Sequence, residues 1–146
     1  MELSIQAALL NVTDLQQSID FYQDVFDLRL TSQDEEVAAL MVLETNRRQV
    51  LLLREQHSGS HRAGRHGGVG LRMLSFEAGS SNELETIERK LVERNALVWR
   101  KETETYRGLM GVDPDRTEIC AASSLTGGPI SSEDWKELDD AIYTIE

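Results

Sequence analysis

The sequence predicts an α+β fold of two βαβββ modules followed by a short C-terminal helix. The main observation is a repeat, because the order strand–helix–strand–strand–strand occurs twice, offset by roughly 65 residues. One half alone could not cover its own sheet, so both halves are expected to form a single domain over residues 1–146. The predicted segments are a first module, a Gly/His loop, a second module and a helical tail, at 3–55, 56–68, 69–123 and 124–146.

The first module begins with a predicted strand at residues 4–12, which is apolar at both parities, as in a strand covered on both faces. Thr13 and Asp14 are both cap-type residues, and Thr13 with Gln16 has the spacing of a capping box. A helix that ends near Asp27 is expected next, because apolar side chains recur at helical steps, at Leu15, Ile19, Tyr22 and Phe26. Three strands are predicted to follow, at 28–31, 36–43 and 49–54.

The segment 56–68 contains all three histidines and four glycines, and it has no apolar period, which predicts a loop. Three imidazoles would suit zinc or nickel, but spacings of four and five residues bring them together only on a regular element. We therefore interpret His57, His61 and His66 as parts of a solvated loop, which could close over a ligand site.

The second module repeats the pattern with a predicted strand at 69–77. Ser80 and Glu83 form a second candidate capping box, before a helix whose apolar face carries Leu84, Ile87 and Leu91. Asn95 stands where a left-handed residue would close that helix. Shorter strands are predicted at 97–100, 105–111 and 117–122, with a turn at 113–115.

The tail differs in character from both modules. The sequence Gly-Gly-Pro at 127–129 interrupts the chain, and a final helix is predicted from Ser132 onward. Its apolar stripe is expected to dock on the body of the protein, through Trp135, Leu138 and Ile142.

Composition excludes several classes of function. With 15 basic and 26 acidic residues the net charge is −11, which disfavours binding to nucleic acid or to anionic membranes. The longest apolar run, 37–43, is too short to span a membrane, and no secretory signal is visible. A single cysteine, Cys120, rules out an intramolecular disulfide, so a cytoplasmic location is expected.

Three stretches carry a family resemblance. Residues 11–15 (NVTDL), 18–22 (SIDFY) and 25–29 (VFDLR) form one phrase, in which Asp27 takes the place of a glycine. The helix at 80–97 after an apolar strand is the second stretch, and residues 112–119 (VDPDRTEI) are the third. In this order and spacing they resemble the vicinal-oxygen-chelate superfamily, which includes glyoxalase I, bleomycin-resistance proteins and extradiol dioxygenases.

This resemblance implies that the two modules form a cupped mixed sheet around a small-molecule site. Many such relatives are dimers, and a homodimer is therefore expected here. Metal-dependent members supply His or Glu from the first and last strand of each module. In this sequence those four positions fall at Ala7, at Leu71 (or Gly70 or Arg72), at Leu52 and at Cys120. Since these side chains cannot build an oxygen/nitrogen metal site, we predict that the protein has no cofactor and no metal.

The residues predicted to line a ligand site follow from the same register and strand parity. Glu118 shares the parity of Cys120 and is the one weak candidate for a catalytic base. Arg54 shares the parity of Leu52 and could pair with a ligand carboxylate or phosphate. The predicted ligand-binding set is Ala7, Leu9, Leu52, Arg54, Leu71, Met73, Trp99, Tyr106, Glu118 and Cys120.

The sequence thus favours a protein that binds a small, partly apolar molecule in the cup without the usual metal. Two alternatives stay open at this point. One is a metal-dependent lyase, isomerase or dioxygenase of the same superfamily, and the other is a dimeric interaction domain without a ligand. Fold alone does not decide between them.

Overall fold

The computed structural model describes residues 1, 3, 5–34, 37–43, 48–56 and 71–145, with the backbone alone for 37–43 and 48. The histidines of the predicted loop lie outside this part of the chain. The protein divides into two units, Met1–Ser60 and His61–Glu146, and each contains one four-stranded sheet. No helix in the described residues is long and apolar enough to cross a membrane.

The first unit contains β1 (Ala7–Val12), α1 (Leu15–Phe26), β2 (Arg29–Gln33), β3 (Val37–Leu43) and β4 (Arg48–Glu55). The sheet order is β1-β4-β3-β2, with β1 parallel to β4 and the other pairs antiparallel. One face of β1 and β4 is buried on the side of α1, through Leu10, Val12, Leu51 and Leu53. The opposite face, which includes Leu9, is exposed.

The second unit contains β5 (Leu74–Glu77), α2 (Ser81–Glu93), β6 (Leu97–Glu102), β7 (Tyr106–Val112), β8 (Glu118–Ser124) and α3 (Ser132–Tyr143). Its sheet order, β5-β8-β7-β6, repeats that of the first unit, again with one parallel pair between the first and last strands. The predicted α+β architecture, with two βαβββ modules and a C-terminal helix, is confirmed.

The helix ends follow the expected capping chemistry with one correction. The N-cap of α1 is Asp14, not Thr13, because Asp14 has the extended backbone that precedes a helix and its Oδ1 accepts the Gln17 N–H at 3.0 Å. The Ser80 N-cap is confirmed, since Ser80 Oγ accepts the Glu83 N–H at 3.2 Å, while the Glu83 carboxylate accepts the N–H of Gly79 at 2.7 Å. Asn95 is left-handed, with φ 56°, as predicted.

Two predicted strands are shorter than expected at their N-termini. β1 begins at Ala7, not at residue 4, and β5 begins at Leu74, while the described residues 71–73 lie outside any strand. The ladders begin at Ala7–Val50 and Leu74–Ile119, although β4 and β8 themselves start earlier, at Arg48 and Glu118.

Candidate functional site

The C-terminal helix α3 covers one face of the second sheet. Buried side chains of β7 and β8 on this face pack with buried side chains of the tail, and together they form one core cluster of Tyr106, Met110, Cys120, Ala122, Ile130, Leu138 and Ile142. Four partly buried side chains pack against the cluster, namely Met73, Trp99, Trp135 and Ile145. We call the sheet side of this cluster, formed by Tyr106, Gly108, Met110, Cys120 and Ala122, the α3-covered face. The predicted docking of the α3 stripe is therefore confirmed.

A glycine allows α3 to approach the sheet. A Cβ added at Gly108 would lie 2.8 Å from Leu138 Cδ1, so the glycine lets this leucine take its position without a shift of its side chain. Gly111 plays the same part on the other face of β7, where a Cβ would lie 2.8 Å from the Ala96 carbonyl oxygen and 3.2 Å from Leu91. Two helices thus contact β7 from opposite sides, each with a leucine opposite a glycine.

Polar contacts hold the rim of α3. Lys101 Nζ lies 3.0 Å from Glu137 Oε1, and the buried Tyr106 hydroxyl donates to the same carboxylate at 3.4 Å. The Thr105 hydroxyl donates to Asp134 Oδ1 at 3.0 Å. A further ion pair joins Arg72 to Asp139 of α3. Two carboxylates of α3, those of Glu137 and Asp139, therefore pair with Lys101 and Arg72 at the border of the α3-covered face.

Burial under α3 changes the acid–base behaviour of two groups. Burial, followed by the negative charges of Glu137 and Asp134 and the hydrogen bond to Glu137, raises the pKa of Tyr106 to about 12. Burial likewise raises the pKa of the Cys120 thiol to about 12, although a hydrogen bond with Ser75 acts in the opposite direction. Cys120, 1% exposed, is therefore a protonated thiol at neutral pH and is unsuited to act as a nucleophile.

An open groove lies between the start of β5 and α3, with a volume of about 370 Å³. Its lining is Arg72, Met73, Ser75, Trp135, Leu138 and Asp139. The Arg72 guanidinium carbon lies 5.8 Å from the centroid of the Tyr143 ring. The buried Nη1 atom of Arg72 has no hydrogen-bond partner among the described residues. The groove thus combines an apolar body with one charged end.

The predicted site residues fall into two groups in the structure. Met73, Trp99, Tyr106 and Cys120 lie together at the α3 cluster of the second unit. In the first unit, the pairs Leu9–Leu52 and Asn11–Arg54 show that Leu9, Leu52 and Arg54 share the face opposite α1, as does Ala7 by parity. Leu71 is 59% exposed and lies outside any strand, and Glu118 is half-buried at the start of β8.

The strand register corrects one predicted position. Ala7 and Met73 each lie seven residues before the N-cap of the following helix, Asp14 or Ser80. Strand pairing agrees, because Ala7 pairs with Val50, two residues before Leu52, and extending the β5–β8 ladder by one step places Met73 beside Glu118, two residues before Cys120. The counterpart of Ala7 is therefore Met73, not Leu71 or its neighbours.

Sequence reasoning missed the polar half of the groove. The sequence analysis named Arg72 only as an alternative to Leu71 at one ligand position. It did not identify Asp139 or the Lys101–Glu137 pair. The available signal was the small side chains on one parity of β7 and β8, Gly108, Cys120 and Ala122, which leave space for a helix. That signal would have indicated which face the apolar stripe of α3 covers.

The side chains at the family's ligand positions do not fit a divalent metal. Ala7 and Leu52 are hydrocarbons, Met73 is a weak thioether donor, and the Cys120 thiol is protonated beneath α3. Within the part of the chain that is described, no three His, Cys, Asp or Glu side chains are grouped so that they could hold a metal ion.

Comparison with known proteins identifies the fold. A glyoxylase/bleomycin resistance protein/dioxygenase domain from Frankia sp. EAN1pec is similar with a TM-score of 0.68 at 21% identity, covering 88% of this chain and 96% of that one. A lactoylglutathione lyase from Agrobacterium tumefaciens gives 0.60 at 22% identity, covering 82% and 92%. The genomically encoded fosfomycin resistance protein FosX from Listeria monocytogenes gives 0.66 at 14% identity, covering 92% and 98%.

At these identities the likenesses show the fold alone, and no curated protein matches the sequence. The sequence profile of the Glyoxalase/Bleomycin resistance protein/Dioxygenase superfamily matches residues 4–121, which is most of the chain. The resemblance drawn from the sequence is confirmed, and the chain belongs to the glyoxalase/bleomycin resistance protein/dioxygenase superfamily.

Proposed function

We propose that the protein binds a small amphiphilic molecule with an anionic end, without a bound metal. The observation that carries this proposal is the groove beside α3, in which apolar side chains adjoin Arg72, the partner of Asp139. Its volume of about 370 Å³ lies within the range of sites for small organic ligands.

The lining of the groove supports a ligand with two kinds of surface. Met73, Trp135 and Leu138 offer apolar and aromatic contact, which favours a hydrocarbon or ring. Arg72 offers a planar set of donors that suits a carboxylate, sulfonate or phosphate. Its pairing with Asp139 keeps this cation in place at the rim of the groove.

The metal-free part of the proposal rests on the side chains at the family's ligand positions. Two of them, Ala7 and Leu52, have no donor atom at all. Among the solved relatives, one is named for fosfomycin resistance and another as a lactoylglutathione lyase, and both names refer to small molecules. A binding protein for a small molecule is compatible with this family and needs no catalytic group.

Fluorescence titration with anilinonaphthalene sulfonate, an anionic aromatic probe, tests the proposal. We expect saturable binding to the wild type, with a Kd raised about tenfold or more in Arg72→Met, because a charge-assisted hydrogen bond is lost. Arg89→Met is the matched control, since Arg89 is exposed on α2 and pairs only locally with Glu93. Its Kd should match that of the wild type, and dialysis against EDTA should leave binding unchanged.

Two results would overturn the proposal. Equal loss of binding in both arginine variants would show that the probe responds to net charge and not to the groove. Loss of binding after EDTA treatment, together with stoichiometric divalent metal in the purified protein, would show that a metal takes part. The metal-dependent enzyme would then be the better hypothesis.

A further inference from the structure

We infer that α3 is a displaceable occupant of the second sheet, and that an amphiphilic anion bound there and a docked α3 exclude one another. This inference rests on the proposed function, because it concerns the same groove and the same class of ligand. It adds a closed state, in which the helix of the protein occupies most of the surface that the ligand would use.

The chemistry of α3 is that of an amphiphilic anion. Its apolar residue Leu138 lies on Gly108, within the core cluster. On either side of this leucine, Glu137 and Asp139 pair with Lys101 and Arg72. A ligand with an apolar body and an acidic end would use the same sheet surface and the same cations, so it competes directly with the helix.

The length and connection of α3 allow the whole helix to separate from the sheet. It has only 12 residues, and isolated helices of this length are marginal in water, so its order depends on docking. The connection from β8 runs through the exposed residues 125–129, where added Cβ atoms at Gly127 and Gly128 would meet nothing within 4 Å. The segment is anchored at its two ends, where the Leu125 N–H donates to the Thr105 carbonyl at 2.8 Å and the Ile130 N–H donates to Glu77 Oε1 at 3.1 Å, so a change of conformation is confined to the exposed residues between them.

The ion pairs of α3 are also exchangeable. The side chain of Lys101 is 33% exposed and that of its partner Glu137 is 51% exposed, so water and salt weaken this pair. The stronger hold is the apolar contact of Leu138 and Ile142. A ligand that supplies both an apolar body and a fixed anion replaces both kinds of contact at once.

The groove is the place where a ligand would first compete with α3 for the second sheet. Three of its six lining residues, Trp135, Leu138 and Asp139, belong to α3, and the others belong to the β5 segment. A ligand makes its first contacts with the docked helix at Trp135 and Leu138, and its apolar body, that of anilinonaphthalene sulfonate included, meets Leu138 as it moves towards the sheet. Further entry therefore requires α3 to move away from Met110 and Cys120.

Hydrogen–deuterium exchange of the full chain tests displacement directly. With saturating anilinonaphthalene sulfonate, backbone amides of α3 should exchange at least tenfold faster, while those of β8 stay protected. The neutral probe N-phenylnaphthylamine is the control for the ligand, because it lacks the anion that competes with Asp139 for Arg72, and it should change α3 exchange less.

Two leucine variants test the same point from the side of the protein. Leu138→Ala weakens α3 docking, and it should bind the probe at least tenfold more tightly and make Cys120 at least tenfold more reactive towards a thiol reagent. Leu91→Ala is matched, because Leu91 is also 1% exposed and lies opposite Gly111, but on α2. It should leave probe affinity and Cys120 reactivity within about twofold of the wild type under conditions where both variants are folded.

The outcomes separate this inference from the proposed function. If the probe binds with dependence on Arg72 but α3 exchange is unchanged, the inference is wrong and the proposed function stands. If only Leu138→Ala binds the probe, the exclusion is supported, and the wild type is closed to this ligand. If neither the wild type nor Leu138→Ala binds it, both proposals fail.

Discussion

The two sheets of the protein have the same strand order but differ in what covers them. In β4 of the first unit, Leu51 and Leu53 are buried, Leu52 between them is half-buried and Arg54 is exposed. In β8, the equivalent strand of the second unit, five consecutive residues are buried. The helix α3, a segment outside the repeat, covers the second face of β8, whereas in the described residues of the first unit the equivalent face carries the half-buried Leu52 and the exposed Leu9 and Arg54.

The side chains at equivalent positions match this difference. By strand register, Leu52 of β4 corresponds to Cys120 of β8, and Arg54 corresponds to Ala122. A helix packs closely on the small side chains of β8, whereas leucine and arginine occupy that space on β4. The two modules therefore share their strand order, while the size of a few side chains differs at the face that α3 covers in the second unit.

The largest expected difference between the sheets is in thiol reactivity. At pH 8 a thiol with a pKa of about 12 is roughly a thousandfold less ionised than an ordinary cysteine, so Cys120 should react about a thousandfold more slowly with a thiol reagent. A cysteine at the equivalent position of the first sheet, in the variant Leu52→Cys with Cys120→Ser, should react at an ordinary rate. If both cysteines reacted equally slowly with the reagent, the proposed difference in burial between the two sheet faces would be contradicted.

The two glycines of β7 should differ in their tolerance of alanine. Gly111→Ala meets the Ala96 carbonyl oxygen, a backbone atom that cannot rotate away, and is expected to cost about 1–3 kcal/mol in urea unfolding. Gly108→Ala meets the flexible end of Leu138, so its cost should be clearly smaller and should appear as weaker α3 docking. A larger loss for Gly108→Ala would mean that α3 is part of the cooperative core and not a separable cover.

Alkaline pH should destabilise the second unit. Because the folded pKa values of Tyr106 and Cys120, both about 12, lie above their ordinary values, their contribution is complete below about pH 9. It is lost as pH rises from about 9 to about 12, since the unfolded chain releases these protons first. Tyr106→Phe should show a shallower fall of unfolding free energy over this range, and an unchanged slope would contradict the assigned burial.

Removal of helix caps should give the smallest effects. Ser80→Ala and Ser131→Ala each remove a hydroxyl that accepts a backbone N–H of the first turn, from Glu83 and Asp134, and each should cost about 1 kcal/mol of helix stability. The consequences should differ, because the Ser80 variant lowers the melting temperature of the unit, while the Ser131 variant mainly speeds hydrogen exchange in α3. Identical effects on melting would argue that α3 unfolds only with the whole unit.

Much of this fold could be predicted from local chemistry. Helical periodicity located all three described helices, and Asx chemistry explains the turn at 113–115, where Asp113 Oδ1 accepts the N–H groups of Asp115 and Thr117 at 2.9 and 2.8 Å. The strand starts were less predictable, because they depend on where pairing with a neighbouring strand begins. Thr13 and Asp14 are both cap-forming residues, so their backbone conformation had to be seen before the cap could be assigned.

The site was only partly predictable for a different reason. An apolar stripe such as Trp135, Leu138 and Ile142 shows that a helix docks, but it carries no information on which of two sheet faces receives it. The environment of Tyr106 depends on Glu137, 31 residues later in the chain. The prediction from the family's ligand positions named Cys120 of the second sheet, without indicating that the helix of the same chain lies on it.

The contact between Leu138 and Gly108 is the most direct test of this account. In a nuclear Overhauser spectrum of the wild-type protein without ligand, the Leu138 methyl protons should show strong cross-peaks to the Gly108 α-protons, with methyl shifts altered by their packed environment. Methyl shifts typical of an unstructured leucine, with no cross-peak to Gly108, would show that α3 does not cover the second sheet.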